Sequence, residues 1–346
     1  MYVQQGSNGI AIWAPAKLNL FLEIKNRRAD GFHEIETFML PISLYDHLEV
    51  TSPKSAEPGS LTLDCQFHPG LAKGNRPFAW DRSTDGKIGS MEIAQWFRTD
   101  LYGSQWLPDG PDNLVSKAVQ QLRIQTGCDK PLSVRLTKTI PAASGLAGGS
   151  SDAAAALFAA NAAWNTGLGH AELADVAGQV GSDVPFFLYR TACICTGRGE
   201  QIKPWSLLSR PLNFVVVRPP TGLATAQVYQ ANQLSAELQS IQPFLDALAS
   251  NRLDRIGRKM FNRLQTPART LSPWIDRLAH ELSRLDVLGH QMSGSGSAYF
   301  GLCRTQAHAC RVAAVVNARG IGSAFAVRSV EMSHSSSSET WIPSLN

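Results

Sequence analysis

The stretch Pro141-Ala142-Ala143-Ser144-Gly145-Leu146-Ala147-Gly148-Gly149-Ser150-Ser151-Asp152 is followed at once by an alanine-rich run, residues 153–160. Upstream, residues 132–136 alternate apolar and polar side chains as a strand does, and alanine is the strongest helix former. The predicted order is therefore strand, glycine/serine loop and helix. Glycines allow a backbone to approach a ligand closely, and the first N–H groups of a helix have no intrahelical partner. This arrangement favours phosphate binding.

An ordinary turn is the alternative for this stretch. A glycine/serine loop before a helix can also end in a serine N-cap that binds no ligand. The strand and the helix on either side favour phosphate binding over that alternative. No lysine follows the glycines as in a Walker A loop, and the pattern G-x-G-x-x-G is absent. The dinucleotide-binding and protein-kinase classes therefore lose their main support.

The composition sets broad limits on the class of protein. The chain has 346 residues, enough for two domains, and its 44% hydrophobic and 17% charged content is typical of a soluble globular protein. The net charge of +4 is mild and the basic residues are dispersed, which suits an anionic small molecule rather than nucleic acid. The sequence has no signal segment, no run of 18 apolar residues and no metal-spaced cysteine motif, so we expect a cytoplasmic protein without a membrane span.

The composition also changes along the chain. Proline, glycine, serine and charged residues dominate 52–111, which we interpret as an insertion with a short helix near 91–97. We predict an N-terminal domain over 1–205 and a C-terminal domain over 206–332. The serine-rich tail, 333–346, has low complexity and is expected to be disordered.

Apolar patterning predicts the main elements of both domains. Residues 10–24 are typical of strand segments interrupted by Pro15, and the Asp-Gly turn at 28–33 follows them. In the C-terminal domain, residues 225–260 are expected to be mostly helical, and a second small-residue loop at 292–298 leads into a strand. A helix is also expected to open at Pro111-Asp112-Asn113-Leu114.

Lys17 lies inside an otherwise apolar strand pattern. Lysine is almost never fully buried without a partner, so an edge strand whose lysine faces water is one interpretation. The other is functional, because Asn19 projects from the same strand face two residues later. A cation and an amide on one face could line a polar site.

Two aspartates compete for a catalytic role. Asp183 sits in a Gly-Ser-Asp turn, where it could bond its own backbone or act as the general base for an attacking hydroxyl. Asp152 follows the glycine/serine loop, where it could cap the helix or hold Mg²⁺ against phosphate oxygens. Ser151 is a second possible metal ligand, and the sequence alone leaves the metal ligands undetermined.

Phe32 and His33 form an aromatic pair at the turn after the first long strand. A lone histidine is usually structural. A histidine beside an aromatic ring can instead hold a flat heterocycle by a hydrogen bond and stacking. The sequence pattern alone leaves both interpretations open.

Taken together, these motifs resemble the GHMP kinase superfamily. Six stretches occur in the order typical of that superfamily: 15–22, 27–34, 111–115, 141–152, 181–187 and 292–297. The most specific is Arg-Ala-Asp-Gly-Phe-His at 28–33, which is similar to the cytidine-binding turn of one group of these kinases. Phe32 stands where many of them have tyrosine, so a hydroxyl contact is lost while stacking survives. The longer stretch before Pro111 is a second departure.

The resemblance implies an α+β fold, with an N-terminal α/β domain, a ferredoxin-like C-terminal domain and the active site between them. It implies an ATP- and Mg-dependent transfer of phosphate to the 2-hydroxyl of a cytidine diphosphate-linked methylerythritol, in non-mevalonate isoprenoid synthesis. Asp183 matches the catalytic base and Lys17 its partner. Residues matching substrate-binding positions are Asn19, Phe32, His33 and, on weaker alignment, Thr225. Those matching ATP-binding positions are Asn113, Pro141, Ala142, Ala143, Ser144, Gly145, Leu146, Ala147, Gly148, Gly149, Ser150 and Ser151.

Three rival functions remain at this point. Another GHMP activity, such as phosphorylation of homoserine, mevalonate or galactose, would keep the loop but need no cytidine turn. A non-catalytic sensor of ATP would not need Lys17 and Asp183. An unrelated phosphate-binding module would lack the ordered series of motifs. We expect a monomer or weak homodimer that acts on small molecules, with no nucleic-acid or membrane partner.

Overall fold

The computed structural model describes residues 1–6, 9–67, 110–205 and 208–330. These residues fold around two β-sheets with helices packed on them. The α+β class expected from the sequence is confirmed. The helix predicted near 91–97 and the predicted disorder of 333–346 lie outside the described residues.

The larger sheet has eight strands among the described residues, in the order β1-β2-β3-β5-β4, with β6 and β7 continuing from β3 and β9 pairing with β2. Strand β9 comes from the C-terminal part of the chain, so that part adds to the sheet of the first domain. The strands are β1 (Tyr2–Gly6), β2 (Gly9–Arg27), β3 (His33–Thr51), β4 (Leu61–Phe67), β5 (Leu132–Lys138), β6 (Ala192–Gly197), β7 (Gln201–Trp205) and β9 (Phe261–Asn262).

Two features of this sheet differ from the expected pattern. Strand β2 is continuous rather than interrupted at Pro15, because a register shift between Pro15 and Ala16 accommodates a residue without an N–H group. Strand β4 pairs in parallel with β5, although its residues fall in the range interpreted as an insertion. The polar composition of that range concealed a strand whose side chains alternate between half-buried and exposed.

Helices α1 (Leu114–Thr126), α2 (Gly148–Trp164), α3 (His170–Val180) and α4 (Val184–Tyr189) belong to the first domain. Asn113, rather than Asp112, caps α1 by accepting a hydrogen bond from Val115 N at 2.8 Å. Helix α2 begins before the alanine run, and the alanines of that run are buried in the core that α2 forms with the sheet. The turn expected at 181–188 contains the short helix α4.

The smaller sheet is antiparallel, with the strand order β10-β11-β8-β12. Its strands are β8 (Asn213–Arg218), β10 (Gly289–Met292), β11 (Tyr299–Cys303) and β12 (Ser323–Arg328). Its helices are α5 (Thr225–Ala231), α6 (Gln242–Ala249), α7 (Leu253–Lys259), α8 (Gln265–Leu271), α9 (Pro273–Ser283) and α10 (Gln306–Ala318). The predicted helical segment 225–260 is thus three helices separated by non-helical chain. None of the helices in the described part of the chain is both long and apolar enough to cross a bilayer.

Gly257→Ala and Gly178→Ala form a matched pair, because both glycines lie inside helices. A Cβ atom on Gly257 would lie 2.2 Å from the Leu288 carbonyl oxygen, whereas one on Gly178 would meet only Pro185 Cγ, at 3.9 Å. Alanine favours a helix over glycine by ~1 kcal/mol, and forced overlap costs about 1–3 kcal/mol. Urea denaturation should show Gly178→Ala raising the free energy of unfolding and Gly257→Ala lowering it. Equal stabilisation by the two substitutions would contradict the close helix–strand contact.

Candidate active site

A cavity of about 1220 Å³ is lined by residues from both domains. Pockets for one drug-sized ligand are commonly about 300–1,000 Å³, so this cavity has room for a nucleotide and a second substrate. Most residues that the sequence selected line it: Lys17, Asn19, Phe32, His33, Asn113, Pro141, Ala142, Ala143, Ser144, Gly145, Ala147, Gly148, Gly149, Ser150, Asp152, Asp183 and Thr225.

Leu146 and Ser151 do not line the cavity, unlike the rest of the predicted ATP loop. The Leu146 side chain packs in the hydrophobic core, while its carbonyl oxygen accepts a hydrogen bond from Lys17 N at 3.0 Å. Ser151 is fully buried in α2. Leu146 therefore supports the loop from beneath rather than facing a ligand.

The glycine/serine loop is docked against the second small-residue loop, 292–298. Ala298 N donates to Ser144 O at 2.9 Å, and Ser293 Oγ donates to Gly145 O at 3.1 Å. Gly145 has φ 74°, and a Cβ atom there would lie 2.1 Å from the Ser293 carbonyl oxygen. Only glycine permits this approach. The second loop is thus part of the cavity wall. From the sequence it could support substrate phosphates or be a tight turn before a strand, and its role stays a prediction.

The first turn of α2 lies at the cavity. Its N-cap residue is Ala147, with φ 56°, and no side chain caps the helix. The serine N-cap of the ordinary-turn alternative is therefore not formed. Gly148, Gly149 and Ser150 line the cavity at the positive end of the helix dipole. This is the local geometry in which proteins bind phosphate.

Lys17 is buried, with 3% of its surface exposed, so the solvent-facing edge-strand interpretation is wrong. Its ammonium group donates a hydrogen bond to Asn19 Oδ1 and lies 3.7 Å from Asp183 Oδ2. Burial lowers the pKa of Lys17, while the Asp183 charge opposes that shift. Lys17 and Asp183, which the sequence only suggested as partners, are therefore adjacent in space. The lysine is buried, and the aspartate lines the cavity.

Neighbouring groups fix the geometry of this pair. Asn19 Nδ2 donates to Thr37 Oγ1 at 2.9 Å across the β2–β3 pairing, so Asn19 presents its carbonyl oxygen to Lys17. The backbone of Gly294 covers the pair from the other domain, since a Cβ atom there would lie 3.1 Å from Lys17 Nζ. The Asp183 side chain is 34% exposed, which leaves it accessible to a substrate hydroxyl.

The turn that carries Phe32 presents an aromatic ring to solvent. Arg28 N donates to Phe32 O at 2.8 Å, and Asp30 Oδ1 accepts from Phe32 N at 3.1 Å. Phe32 is 50% exposed even though it is a large apolar side chain. An exposed ring held by its own turn at a cavity mouth provides a stacking surface.

Tyr229 is a cavity residue that the sequence reasoning missed. Its ring lies 5.1 Å from that of His33, and burial together with the Asp183 charge raises the pKa of its hydroxyl. Burial and the charge of Arg27 lower the pKa of His33, which favours the neutral imidazole. The one local signal for Tyr229 was its spacing, four residues after Thr225 on the same face of α5.

A buried triad of Asp46, Lys138 and Asp152 lies under the glycine/serine loop. Lys138 donates hydrogen bonds to Asp46 Oδ2 and, at 2.5 Å, to Asp152 Oδ2, and each of the three is at most 2% exposed. Burial and the Asp46 charge raise the pKa of Asp152, whereas the two carboxylates raise the pKa of Lys138 against the effect of burial. Asp46 also accepts hydrogen bonds from the Thr139 and Ile140 amides, which anchors the start of the loop.

Lys138 could have been identified from the pattern of β5. Leu132, Val134 and Leu136 occupy the inward face of that strand, and Lys138 continues the same alternation. A lysine at an inward position implies a buried counter-charge. The pattern of β5 does not identify the counter-charges. Asp46 lies 92 residues earlier in the chain, and Asp152 lies 14 residues later in a different element.

Asp152 is the residue best suited to hold a metal ion here. It lines the cavity, and its Oδ1 atom has no hydrogen-bond partner within the described ranges. Ser151 Oγ also lacks such a partner there, but Ser151 does not line the cavity. The described residues contain no group of three histidine, cysteine or acidic side chains that could hold a metal. One carboxylate plus substrate phosphates is nevertheless a usual ligand set for Mg²⁺.

Comparisons with known proteins agree with this geometry. The family model for the GHMP kinases N terminal domain matches residues 113–191, and that for the GHMP kinases C terminal region matches residues 244–322. A relative from Pelotomaculum thermopropionicum, 4-diphosphocytidyl-2-C-methyl-D-erythritol kinase, is 34% identical over 88% of this chain and 93% of its own. The chain belongs to this family of GHMP kinases.

Two further comparisons support the family assignment. The Bacillus subtilis kinase of the same name is 31% identical over 86% of this chain and 90% of its own. A crystal structure of 4-(cytidine 5'-diphospho)-2C-methyl-D-erythritol kinase matches with a TM-score of 0.69 and 31% identity, covering 93% of this chain and 100% of the other. The superfamily and the two-domain fold expected from the sequence are confirmed.

Lys138→Met should destabilise the fold, because it leaves two buried carboxylates without a counter-ion. Removing one partner of a buried ion pair costs about 3–5 kcal/mol. Arg135→Met is the control on the same strand, since its partner Glu49 is 48% exposed and such pairs contribute below ~1 kcal/mol. Chemical denaturation at neutral pH measures both, and equal effects would contradict the triad.

The same variant should respond to pH in a defined direction. Without Lys138, Asp152 loses the positive charge that lowers its pKa, so that pKa lies further above its value in the unfolded chain and the folded variant binds more protons. Its free energy of unfolding, relative to wild type, should therefore rise as the pH is lowered from about 7 to about 5. A deficit that grows on acidification would show that the lost stability has another origin.

Proposed function

We propose that this protein transfers the γ-phosphate of ATP to the 2-hydroxyl of 4-diphosphocytidyl-2-C-methyl-D-erythritol. One observation carries the proposal: a single cavity brings together the glycine/serine loop, the Lys17–Asp183 pair and the turn bearing Phe32 and His33. The curated relatives bear the name of this kinase. The reaction belongs to the non-mevalonate synthesis of isoprenoid precursors.

The glycine/serine loop and α2 form the ATP side of the site. The amides of Gly148, Gly149 and Ser150 lie at the positive end of α2 and bind the triphosphate oxygens. Because these donors are fixed by the fold, they need little reorganisation as charge shifts during transfer. Asn113, at the N-cap of α1 and on the cavity wall, helps to hold the nucleotide.

Asp183 and Lys17 act on the transferred group. Asp183 accepts, or orients, the proton of the attacking hydroxyl, because its carboxylate lines the cavity and is partly exposed. Lys17 pairs with the Asp183 carboxylate and offsets negative charge in the transition state. Because the Lys17 ammonium is buried, its interaction with charge is less screened than at a surface.

The turn at 28–33 and helix α5 form the cytidine side. Phe32 offers a stacking face, and the neutral His33 can accept or donate a hydrogen bond at the pyrimidine edge. Tyr229 extends the aromatic surface beside His33. Asn19 and Thr225 lie on the same cavity wall, towards the acceptor alcohol.

Mg²⁺ fits the chemistry of this site. Asp152 lines the cavity and would hold the ion, because its Oδ1 atom has no hydrogen-bond partner among the described residues. A bound cation would also lower the pKa of Asp152, which burial and the Asp46 charge raise. When bound, Mg²⁺ supplies charge neutralisation at the phosphate oxygens. We further propose a cytoplasmic monomer or weak homodimer that acts on small molecules without a nucleic-acid partner.

Asp183→Asn should abolish most turnover while leaving the fold intact, because the amide cannot accept the hydroxyl proton. We expect kcat to fall by about 10²–10⁴-fold, with the Kd for ATP changed by less than about threefold. Asp175→Asn, on an exposed position of α3, is the matched control and should retain kcat. Steady-state kinetics, nucleotide titration and thermal unfolding measure these quantities. Near-normal kcat in Asp183→Asn would rule out the base assignment.

His33→Ala should raise KM for the cytidine substrate much more than KM for ATP. Loss of a buried hydrogen bond and a ring contact predicts an increase of about tenfold or more, while KM for ATP stays within about twofold. His280→Ala, on the exposed side of α9, is the matched control. Equal increases in both KM values would count against a cytidine role for His33.

A further inference from the structure

Arg198 lies on the wall of the cavity, in the short turn between β6 and β7. Its guanidinium carbon is 4.9 Å from the centroid of the Phe32 ring. The backbone of the same turn passes beside the proposed base, since a Cβ atom on Gly199 would lie 3.7 Å from Asp183 Oδ1. One turn therefore reaches both the aromatic platform and the catalytic carboxylate.

The placement of this turn is fixed by a hydrogen bond to the cytidine turn. Gly197 N donates to Glu34 Oε1 at 3.1 Å, and Arg28 Nη1 donates to Glu34 Oε2 at 2.9 Å. Glu34 thus links the two turns. Arg198 starts from a backbone already held next to Phe32, so a ligand that binds there has to order only the Arg198 side chain.

Three other cations line the cavity: Lys17, Lys138 and Arg27. Arg27 is paired with His33 at the end of β2, whereas the two lysines are already engaged by carboxylates or amides of the protein. Lys17 contacts Asn19 and Asp183, and Lys138 is buried between two aspartates. Among the described residues, Arg198 forms an ion pair only with Glu200, at 3.8 Å, in its own turn, and both side chains are more than 20% exposed. Its charge also acts on the exposed carboxylate of Asp30. Exposed pairs of this length contribute little. The Arg198 charge is therefore available to a ligand.

We infer that Arg198 binds the diphosphate of the cytidine substrate and selects for it. This inference rests on the proposed function, which puts the pyrimidine at Phe32 and the reacting hydroxyl at Asp183. In such a substrate the diphosphate joins those two ends, so it passes the turn that carries Arg198. A guanidinium group matches phosphate oxygens with paired N–H donors.

An alternative role would be purely mechanical, with Arg198 bracing the Phe32 ring by a cation–π contact. The two roles predict different ligand dependence. If Arg198 only braces Phe32, it strengthens the binding of cytidine and CDP equally, because both contain the pyrimidine. If Arg198 binds the diphosphate, it strengthens the binding of CDP alone.

The test uses the full-length protein and compares Arg198→Met and Arg198→Lys with Lys203→Met, a control that removes one exposed charge from the same hairpin. Inhibition constants for cytidine and for CDP are measured against the cytidine substrate, together with both KM values. In Arg198→Met we expect CDP binding and KM for the cytidine substrate to weaken by at least about tenfold. Cytidine binding and KM for ATP should change by less than about threefold, and Arg198→Lys should recover part of the loss.

Equal losses for cytidine and CDP in Arg198→Met would overturn the diphosphate assignment and leave the brace. No change for either ligand would overturn both roles. A wild-type protein that neither phosphorylates the cytidine substrate nor binds CDP would instead refute the proposed function, and this inference with it. Wild-type turnover therefore separates failure of the function from failure of the Arg198 assignment.

Discussion

The active site depends on the docking of one glycine/serine loop against another across the two domains. Lys17 N binds the Leu146 carbonyl from the N-terminal sheet, and Ala298 N binds the Ser144 carbonyl from the C-terminal domain. Both are backbone hydrogen bonds, so they hold the loop from two sides without relying on side chains. Gly145 allows this contact because it has no Cβ atom. The phosphate-binding surface is therefore complete only when both domains are packed together.

The same packing explains how a lysine can be buried at the reaction centre. Gly294, in the second loop, closes over Lys17, so its ammonium contacts Asn19 and Asp183 rather than water. A buried cation with a single nearby carboxylate interacts strongly with further negative charge. The neighbouring lysine, Lys138, differs because it lies between two aspartates and stabilises the loop from below. Of the two buried lysines, Lys17 lies at the cavity and is the one we propose to act in the reaction, whereas Lys138 supports the loop.

Local sequence patterns predicted the strands, loops and helices whose formation depends on residues close together in the chain. Alternation and alanine content identified the strand, loop and helix around 141–152, and the order of motifs identified the superfamily. What escaped prediction arises where distant segments meet. One of the two partners of Lys138, Asp46, lies on a strand 92 residues earlier, and Tyr229 joins the site only through packing of α5. Residues 61–67 were assigned to an insertion by composition, although pairing with β5 makes them a strand. The roles of individual site residues remain predictions.

The most direct test of the central claim is a coupled ADP-release assay with Mg-ATP and four candidate acceptors. The acceptors are 4-diphosphocytidyl-2-C-methyl-D-erythritol, homoserine, mevalonate and galactose. Turnover on the cytidine compound alone is the predicted result, since only that substrate uses both the phosphate loop and the aromatic turn. Turnover on another alcohol, or ATP binding without turnover on any of the four, would contradict the account.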